Sequence, residues 1–300
     1  MTVPQGELNV ARMCALARLS RAGYYRHWQI SAPRQEEMGV RDAIQRVCLE
    51  HRFYGYRRIC AQLKREGLVI NRKRVLRLMR QDNLLCLRQR SFVPATTDSR
   101  HSWRVVPNLA RFMELSAVDR LWVADITYVR MREEFAYLAI VLDAFSRRVI
   151  GWALETHMLA SLVIAALNMA IEARRPLPGT LVHHSDRGTQ YACSDYTDIL
   201  NAHEILPSMS RVANPYDNAK AESFMKTLKQ EEVDASNYRN VHHAKRQIGE
   251  FLENTYNRQR LHSALDYRSP VEFEATMHNR IPGIAHVMRK GFEGIGNLPR

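Results

Sequence analysis

Residues 121–130 read LWVADITYVR, residues 135–145 FAYLAIVLDAF and residues 147–156 RRVIGWALET. All three runs are rich in β-branched and aromatic residues, as pleated, half-buried strands require. The spacers between them hold only a few residues. A parallel crossover needs a dozen residues or more, so the three runs predict consecutive antiparallel hairpins. One residue breaks the apolar texture of the first run, Asp125 in Trp122-Val123-Ala124-Asp125-Ile126-Thr127-Tyr128. A carboxylate amid buried strand residues needs partners, because an unpaired buried charge is very costly. Taken singly, such an Asp is more often a hydrogen-bonded or capping residue than a ligand.

Downstream, an apolar helix is expected over 159–174, stopped by Pro176 and Pro178. TLVHHSD (180–186) reads as a short buried strand with Asp186 just past its end. DYTDILNAHE (195–204) reads as a helix and LPSMS (206–210) as another short strand. A polar loop, RVANPYDN (211–218), leads into the helix AKAESFMKTLKQEE (219–232), with Glu222 in its first turns. The order βββαβαβα implies an α/β fold with a mixed sheet. A further helix is expected over 240–256, and residues 257–300 read as irregular, ending in a frayed tail.

Upstream, the texture is helical and basic. Residues 1–110 hold 21 Lys and Arg against 8 Asp and Glu, whereas in residues 111–300 the 23 cations balance the 23 acids. The whole net charge of +13 therefore lies in the first third of the chain. A basic module joined to a neutral one points to a nucleic-acid grip attached to something else, with a solubilising surface as the plainer reading. Apolar Val10, Met13, Leu16 and Leu19 suggest a helix within 8–27, and Ser20 a cap for a second. QEEMGVRDAIQRVCLEH (35–51) is one helix. Tyr54-Gly55-Tyr56-Arg57-Arg58-Ile59 opens the next, which ends at Gly67. Asn71 caps a third, RKRVLRLMRQ (72–81), with Val75, Leu76 and Met79 facing inward. Helix, turn and short basic helix is the layout of a helix-turn-helix reader, whose last helix enters the major groove. Arg57, Arg58, Arg72, Lys73, Arg74, Arg77 and Arg80 are its candidate DNA contacts; a solvated basic face is the rival. Residues 84–118, with Pro94, Pro107 and scattered arginines, read as a basic linker or arm.

The chain thus divides into an N-terminal helical segment (1–30), a helix-turn-helix module (31–83), a basic linker (84–118), an α/β core (119–235) and a C-terminal helix and tail (236–300). Five widely spaced cysteines without a C-x-x-C argue against a disulfide framework or a zinc site and for a reducing, cytoplasmic setting. No apolar run approaches the ~20 residues of a membrane span, and no secretory signal is visible, so no membrane partner is expected.

Three acids on a strand, a strand end and a helix can converge at one sheet edge. Hard divalent cations take oxygen ligands, and two such ions ~3.5–4 Å apart assist in-line displacement at phosphorus. The spacing carries a resemblance. Thirty-five residues separate Asp186 from Glu222, matching a D…D-35-E pattern. W-x-x-D-I-T-Y surrounds Asp125, and D-x-x-S-R follows at Asp143, Ser146 and Arg147. H-S-D-R-G-x-Q-Y runs from His184 to Tyr191, and P-x-D-N-A-x-x-E-S-F from Pro215 to Phe224. Y-N-x-x-R-x-H-x-x-L-x-Y-x-x-P appears at Tyr256, Asn257, Arg260, His262, Leu265, Tyr267 and Pro270. With these motifs the chain resembles, over roughly residues 8–280, the DDE transposases of the retroviral-integrase superfamily. It is most similar to the second-frame product of bacterial insertion sequences of the IS-three group.

The resemblance implies a ribonuclease-H-like catalytic core with Asp125, Asp186 and Glu222 as catalytic and metal-binding acids. It implies two Mg²⁺ ions, with Mn²⁺ able to substitute, and DNA as substrate: the element's terminal inverted repeats and a target. Cleavage at the element ends exposes a 3′-hydroxyl that attacks another phosphodiester. Lys226 and Lys229, four and seven residues after Glu222, would share its helical face and touch the terminal DNA. A homo-oligomeric synaptic complex, nucleoid association and fusion to an upstream frame are also implied. A zinc-binding front domain is not. Asn218 is read either as orienting a phosphate or the site loop, or as a turn or cap. Gly188 is read as supplying a special backbone angle, Asp143 as structural, and His183 and His184 as facing opposite sides of a strand. Arg260 and His262 either contact DNA or pack the C-terminal segment. Two rivals stand beside the transposase: a non-catalytic DNA-binding regulator or domesticated product, and a nuclease that cuts without joining.

Overall fold

The computed structural model describes residues 10–16, 18, 20–22, 25, 35–86, 106–132, 134–211 and 218–278. Most of the expected 84–118 arm, the 212–217 loop and the 279–300 tail lie outside the described residues, as does most of the second N-terminal helix. The chain divides into two compact units, Met1–Cys86 and Leu87–Arg300.

In the first unit, Val10–Leu16 forms α1, and a three-helix group follows: α2 (Gln35–Glu50), α3 (Tyr56–Arg65) and α4 (Arg72–Gln81). Gly67 ends the α3 segment at φ 88°, a left-handed angle that side chains resist, and Leu68 N–H closes back on Leu63 O at 2.8 Å. Asn71 caps α4 by accepting from Lys73 N–H at 2.8 Å. Ile44, Val47, Ile59, Leu63, Val75, Leu78 and Met79 are buried and supply all three helices' inward faces. The inward stripe of α4 is therefore Val75, Leu78 and Met79; Leu76, expected inside, is only half-buried, because i, i+3 and i+4 mark the buried face and i+1 does not. Ion pairs add orientation: Arg41 with Asp82, Arg46 with Glu66, and Arg77 with Glu37 at 2.7 Å.

The second unit is built on five strands: β1 (Leu121–Arg130), β2 (Phe135–Asp143), β3 (Val149–Glu155), β4 (Val182–Ser185) and β5 (Leu206–Met209), in the order β3-β2-β1-β4-β5. The β1–β2 and β2–β3 pairs are antiparallel, and the β1–β4 and β4–β5 pairs parallel. This is the expected mixed, ribonuclease-H-like α/β sheet. Its helices are α5 (Ala160–Arg174), the short α6 (Thr189–Ala192), α7 (Ser194–Ala202), α8 (Ala219–Leu228) and α9 (Val241–Glu250). Period-two alternation sorts each strand between two cores. Trp122, Ala124, Ala139 and Val141 pack with Leu162, Val163, Ala166 and Leu167 of α5. Leu121, Val123, Val129, Leu138 and Ile140 pack on the other face with Ala221, Phe224, Met225 and Leu228 of α8 and Ala244 and Ile248 of α9. Val106, Ala110, Met113 and Leu115, expected in a linker, also lie against these cores. None of the helices among the described residues is long and apolar enough to cross a membrane.

Past residue 256 the chain is more regular than expected. The α9 helix continues as a π-helical stretch, Phe251–Gln259, and a last helix, α10, spans Pro270–His278. The signal for α10 was present: Ser269 and Glu272 form a reciprocal capping box, Ser269 N–H donating to Glu272 Oε2 at 3.0 Å and Glu272 N–H to Ser269 Oγ at 3.3 Å, with Pro270 at the first helical position. Glu274, 4% exposed, anchors α10 by accepting from Ser146 Oγ and Arg148 at 2.7 Å and from Arg174.

The α5 helix approaches β3 so closely that a Cβ at Gly151 would stand 2.1 Å from the Ala166 carbonyl oxygen, whereas one at Gly39 on α2 would meet nothing within 4 Å. Gly151→Ala is therefore expected to destabilise the protein by about 1–3 kcal/mol through overpacking. Gly39→Ala is expected to stabilise by about 0.5–1 kcal/mol, mid-helix glycine being entropically costly. Urea denaturation of both variants measures this, and equal effects at the two positions would contradict it.

Candidate active site

The parallel register brings the first two acids together. Leu121 pairs with Val182, Trp122 with His183 and Val123 with His184. Continuing that register two residues puts Asp186, just past β4, level with Asp125. Alternation puts Asp125 on the same face as Leu121 and Val123, the face covered by α8, and α8 carries Glu222 in its first turn. Asn218 fastens the start of α8 to β1, its Nδ2 donating to Ala124 O at 3.1 Å. The three acids therefore come from a central strand, a strand end and a helix held against that strand.

Their electrostatics follow. Burial, reinforced by the carboxylates of Asp186 and Glu222, pushes the Asp125 carboxyl up to about 7; the Ile126 N–H at 2.9 Å and the Lys229 ammonium oppose the rise. Asp186 is oriented by the Gly188 N–H, which donates to its Oδ1 at 2.9 Å. Glu222 is exposed. Among the described residues, no three His, Cys, Asp or Glu side chains form a ready protein cage for a metal.

The other expected positions resolve differently. Gly188 has an ordinary extended backbone (φ −63°, ψ 144°), not a special angle. Its smallness matters instead, since a Cβ would stand 3.0 Å from Gln190 Oε1 and 3.1 Å from Asp186 Oδ1. His183 and His184 do face opposite sides, and neighbouring side chains hold both. His183 Nε2 meets Tyr196 OH at 3.0 Å, and His184 lies between Ser208 Oγ (2.9 Å) and Ser210 Oγ (3.0 Å). Burial, with His184 adding, lowers the His183 pKa to about 3, so it is neutral. Asp143 is fully buried and closes its own turn, accepting from the N–H groups of Asp119 (2.7 Å), Phe145 (2.9 Å) and Ser146 (2.7 Å). Asn218 stands at the N-cap position of α8 without capping it; its side chain goes to β1. Arg260 is buried in a two-pronged pair with Glu231 (2.8 and 2.7 Å) beside the buried His262, so both pack the C-terminal segment.

Lys226 is exposed on α8, but Lys229 does not share an open face with it. The helix widens to a π-helix at Lys229–Val233, and the Lys229 ammonium lies 4.3 Å from the centre of the Tyr128 ring, in the field of Asp125. In the first unit, Arg72, Lys73 and Arg80 are exposed along α4, while Arg74 and Arg77 reach Glu37 at 3.7 and 2.7 Å. At the start of α3, Arg57 Nε donates to Tyr56 OH at 3.1 Å, and the Arg58 guanidinium stands 5.5 Å from the Tyr54 ring centre. Sequence reasoning passed over two residues at the site: Lys220, whose Nζ donates to Ala144 O at 2.9 Å, and Tyr191. Each lay inside a quoted motif: Lys220 at an unspecified position, which carries no signal, and Tyr191 as the motif's last letter, which gives no role, so only burial marks its hydroxyl.

Residues 116–215 match the integrase core domain family, residues 203–270 a second family described as an integrase core domain, and residues 34–92 an HTH-like domain family. The chain is 37% identical to the uncharacterized 31 kDa protein of insertion element IS600 from Shigella sonnei, over 89% of this chain and 98% of that one. It is 35% identical to the transposase for insertion sequence element IS904 from Lactococcus lactis, over 83% and 98% of the two chains. With the transposase InsF for insertion sequence IS3A from Escherichia coli the identity is 33%, over 90% and 95%. These likenesses do not favour a non-catalytic regulator. With catalytic-core and HTH-like matches in one chain, and relatives matched over nearly their full length, the chain belongs to the insertion-sequence transposases built on an integrase core.

Proposed function

We propose that this transposase cuts and joins DNA with Asp125, Asp186 and Glu222 holding divalent cations. The supporting observation is the position of Asp125, whose carboxyl is raised to about 7 by burial and by the two other acids. Such mutual repulsion is what a divalent cation relieves. The donor set fits Mg²⁺ or Mn²⁺: all oxygen, all acidic, carried on a strand, a strand end and a helix. A closed protein cage is not required, because Mg²⁺ is commonly bound through one or two carboxylates, waters and substrate phosphates. Two ions bound there would supply Lewis-acid activation of the attacking oxygen and stabilisation of the leaving one.

The chain's own residues supply the rest. Asp186 is held for ligation by the Gly188 N–H, and Asn218 ties α8, and so Glu222, to β1. Lys226 contacts the terminal DNA from the exposed side of α8. Lys229 acts from the Tyr128 side, close enough to Asp125 to moderate its charge. Residues 31–83 bind the terminal inverted repeats through Arg57, Arg58, Arg72, Lys73, Arg74, Arg77 and Arg80. For Arg77 and Arg74, DNA would compete with Glu37. The active form is a homo-oligomer pairing two element ends at the nucleoid, with or without an upstream-frame fusion.

Cleavage and joining of a labelled DNA carrying the element ends, with Mg²⁺ or Mn²⁺, tests the assignment. Glu222→Gln keeps the shape and removes a ligand charge. It is expected to lower both activities at least ~100-fold while DNA binding persists, since ligand loss removes several kcal/mol of transition-state stabilisation. An equally active variant refutes the role of Glu222.

A second test needs no DNA. The Asp125 pKa is raised from 3.8 to about 7 in the fold. Its contribution to stability is therefore complete below pH 3.8 and is lost as the pH rises to about 7. In metal-free protein, Asp125→Asn is expected to gain stability over wild type progressively across that window, by at most about 4 kcal/mol. Urea midpoints from pH 4 to 8 measure the gap, and a pH-independent gap contradicts the field described.

The third test concerns the basic unit. If residues 1–110 grip phosphates, the logarithm of DNA affinity falls with the logarithm of salt concentration by ~0.9 for each phosphate neutralised. A flat salt dependence removes that role.

A further inference from the structure

Tyr191 lies on α6, five residues beyond Asp186, and is 2% exposed. Its ring is firmly held, edge-on to Tyr196 at 5.4 Å between centres, and its backbone N–H donates to Gly188 O at 3.0 Å. Its hydroxyl, however, is buried without a hydrogen-bond partner. Buried side-chain polar atoms nearly always have one, and each exception calls for an explanation. A phenylalanine would fill the same ring volume with no stranded donor, so packing does not explain the oxygen.

The surroundings do. A Cβ at Gly188 would stand 3.1 Å from Asp186 Oδ1 and 3.7 Å from Tyr191 Cδ2, so carboxylate and ring flank the same small space. Burial, with Tyr196, Asp186 and Asp125 adding, holds the phenol protonated, which makes it a neutral O–H donor. The matching orphan on the α8 side is Asn218 Oδ1, on the residue whose Nδ2 binds the carbonyl next to Asp125. Among the described residues of the second unit, the remaining buried atoms of this kind belong to Asn108.

We infer that Tyr191 is a positioning residue whose hydroxyl donates a hydrogen bond to an oxygen in the coordination shell of the divalent ion held by Asp125 and Asp186. The inference rests on the acid assignment proposed above and adds a neutral donor to it. Such outer partners orient first ligands and fix the shell, and their loss typically weakens metal binding 10–100-fold.

The test compares the full-length wild type, Tyr191→Phe and Asp125→Asn by calorimetric titration with Mn²⁺ alone and by thermal unfolding without metal. Tyr191→Phe is expected to bind Mn²⁺ ~10-fold more weakly. Its metal-free Tm is expected at or above that of wild type, because an unpaired buried hydroxyl has been removed. Wild-type Mn²⁺ affinity in Tyr191→Phe overturns the inference. So does a lowered metal-free Tm, which means the hydroxyl already has a partner inside the fold. If Asp125→Asn loses Mn²⁺ binding and Tyr191→Phe does not, only the role of Tyr191 fails. If wild type and Asp125→Asn bind Mn²⁺ alike, the acid assignment fails and takes this inference with it.

Discussion

Asp125 stands in the middle of the central strand of a five-stranded sheet, where burial and two neighbouring acids hold its carboxyl near neutrality instead of fully ionised. Much of the second unit keeps that unfavourable arrangement in place. The parallel β1–β4 pairing brings Asp186 alongside, the apolar packing of α8 on β1 brings Glu222 over, and Asn218 locks the start of that helix. None of these contacts neutralises the acids. The fold holds three acids together through apolar burial and backbone pairing, an arrangement that a bound cation would relieve.

The residues behind the site belong to a second electrostatic system that is densely hydrogen-bonded. Asp143 accepts from three backbone N–H groups, and Glu274 gathers Ser146, Arg148 and Arg174. Burial alone would raise the Glu274 carboxyl, but Arg174 holds it below its ordinary range. A buried charge is tolerated there because every partner is present. The contrast separates structural acids from candidate catalytic ones: Asp143 accepts from three backbone N–H groups and Glu274 from two arginines, whereas Asp125 accepts one backbone N–H and faces two other acids. The C-terminal helix is part of this system through Glu274, so it helps to hold the core together. Arg260 with Glu231 does the same at the end of the π-helical stretch.

Local chemistry written in a few adjacent residues was legible before any coordinates. The three hairpin runs, the caps at Gly67 and Asn71, the strand placing of Asp125 and the helix carrying Glu222 all depend on short-range periodicity and capping. The helix at Pro270–His278 was legible in principle, since Ser269-Pro270-Val271-Glu272 is a helix-start signature. Residues 257–300 read as irregular because that signature is short and the segment around it has little periodicity. What local pattern could not give was the partner of each polar residue. Arg260 reads equally as a DNA contact or a packing residue until its partner Glu231, far away in sequence, is seen. Lys229 is spaced to share a face with Glu222, but at the end of α8 it is half-buried with its ammonium over the Tyr128 ring.

By itself, the sequence determined which elements form, which acids are available, and that the positive charge is concentrated in the first third of the chain. Each of these depends on residue type and on spacings shorter than a helix turn or a strand. Tertiary structure decided which carboxylates share a field, which cations are already paired, and which hydroxyl is left without a partner. Those outcomes depend on burial and on distances between residues tens of positions apart, where small changes in sheet register or helix period move a side chain from one environment to another.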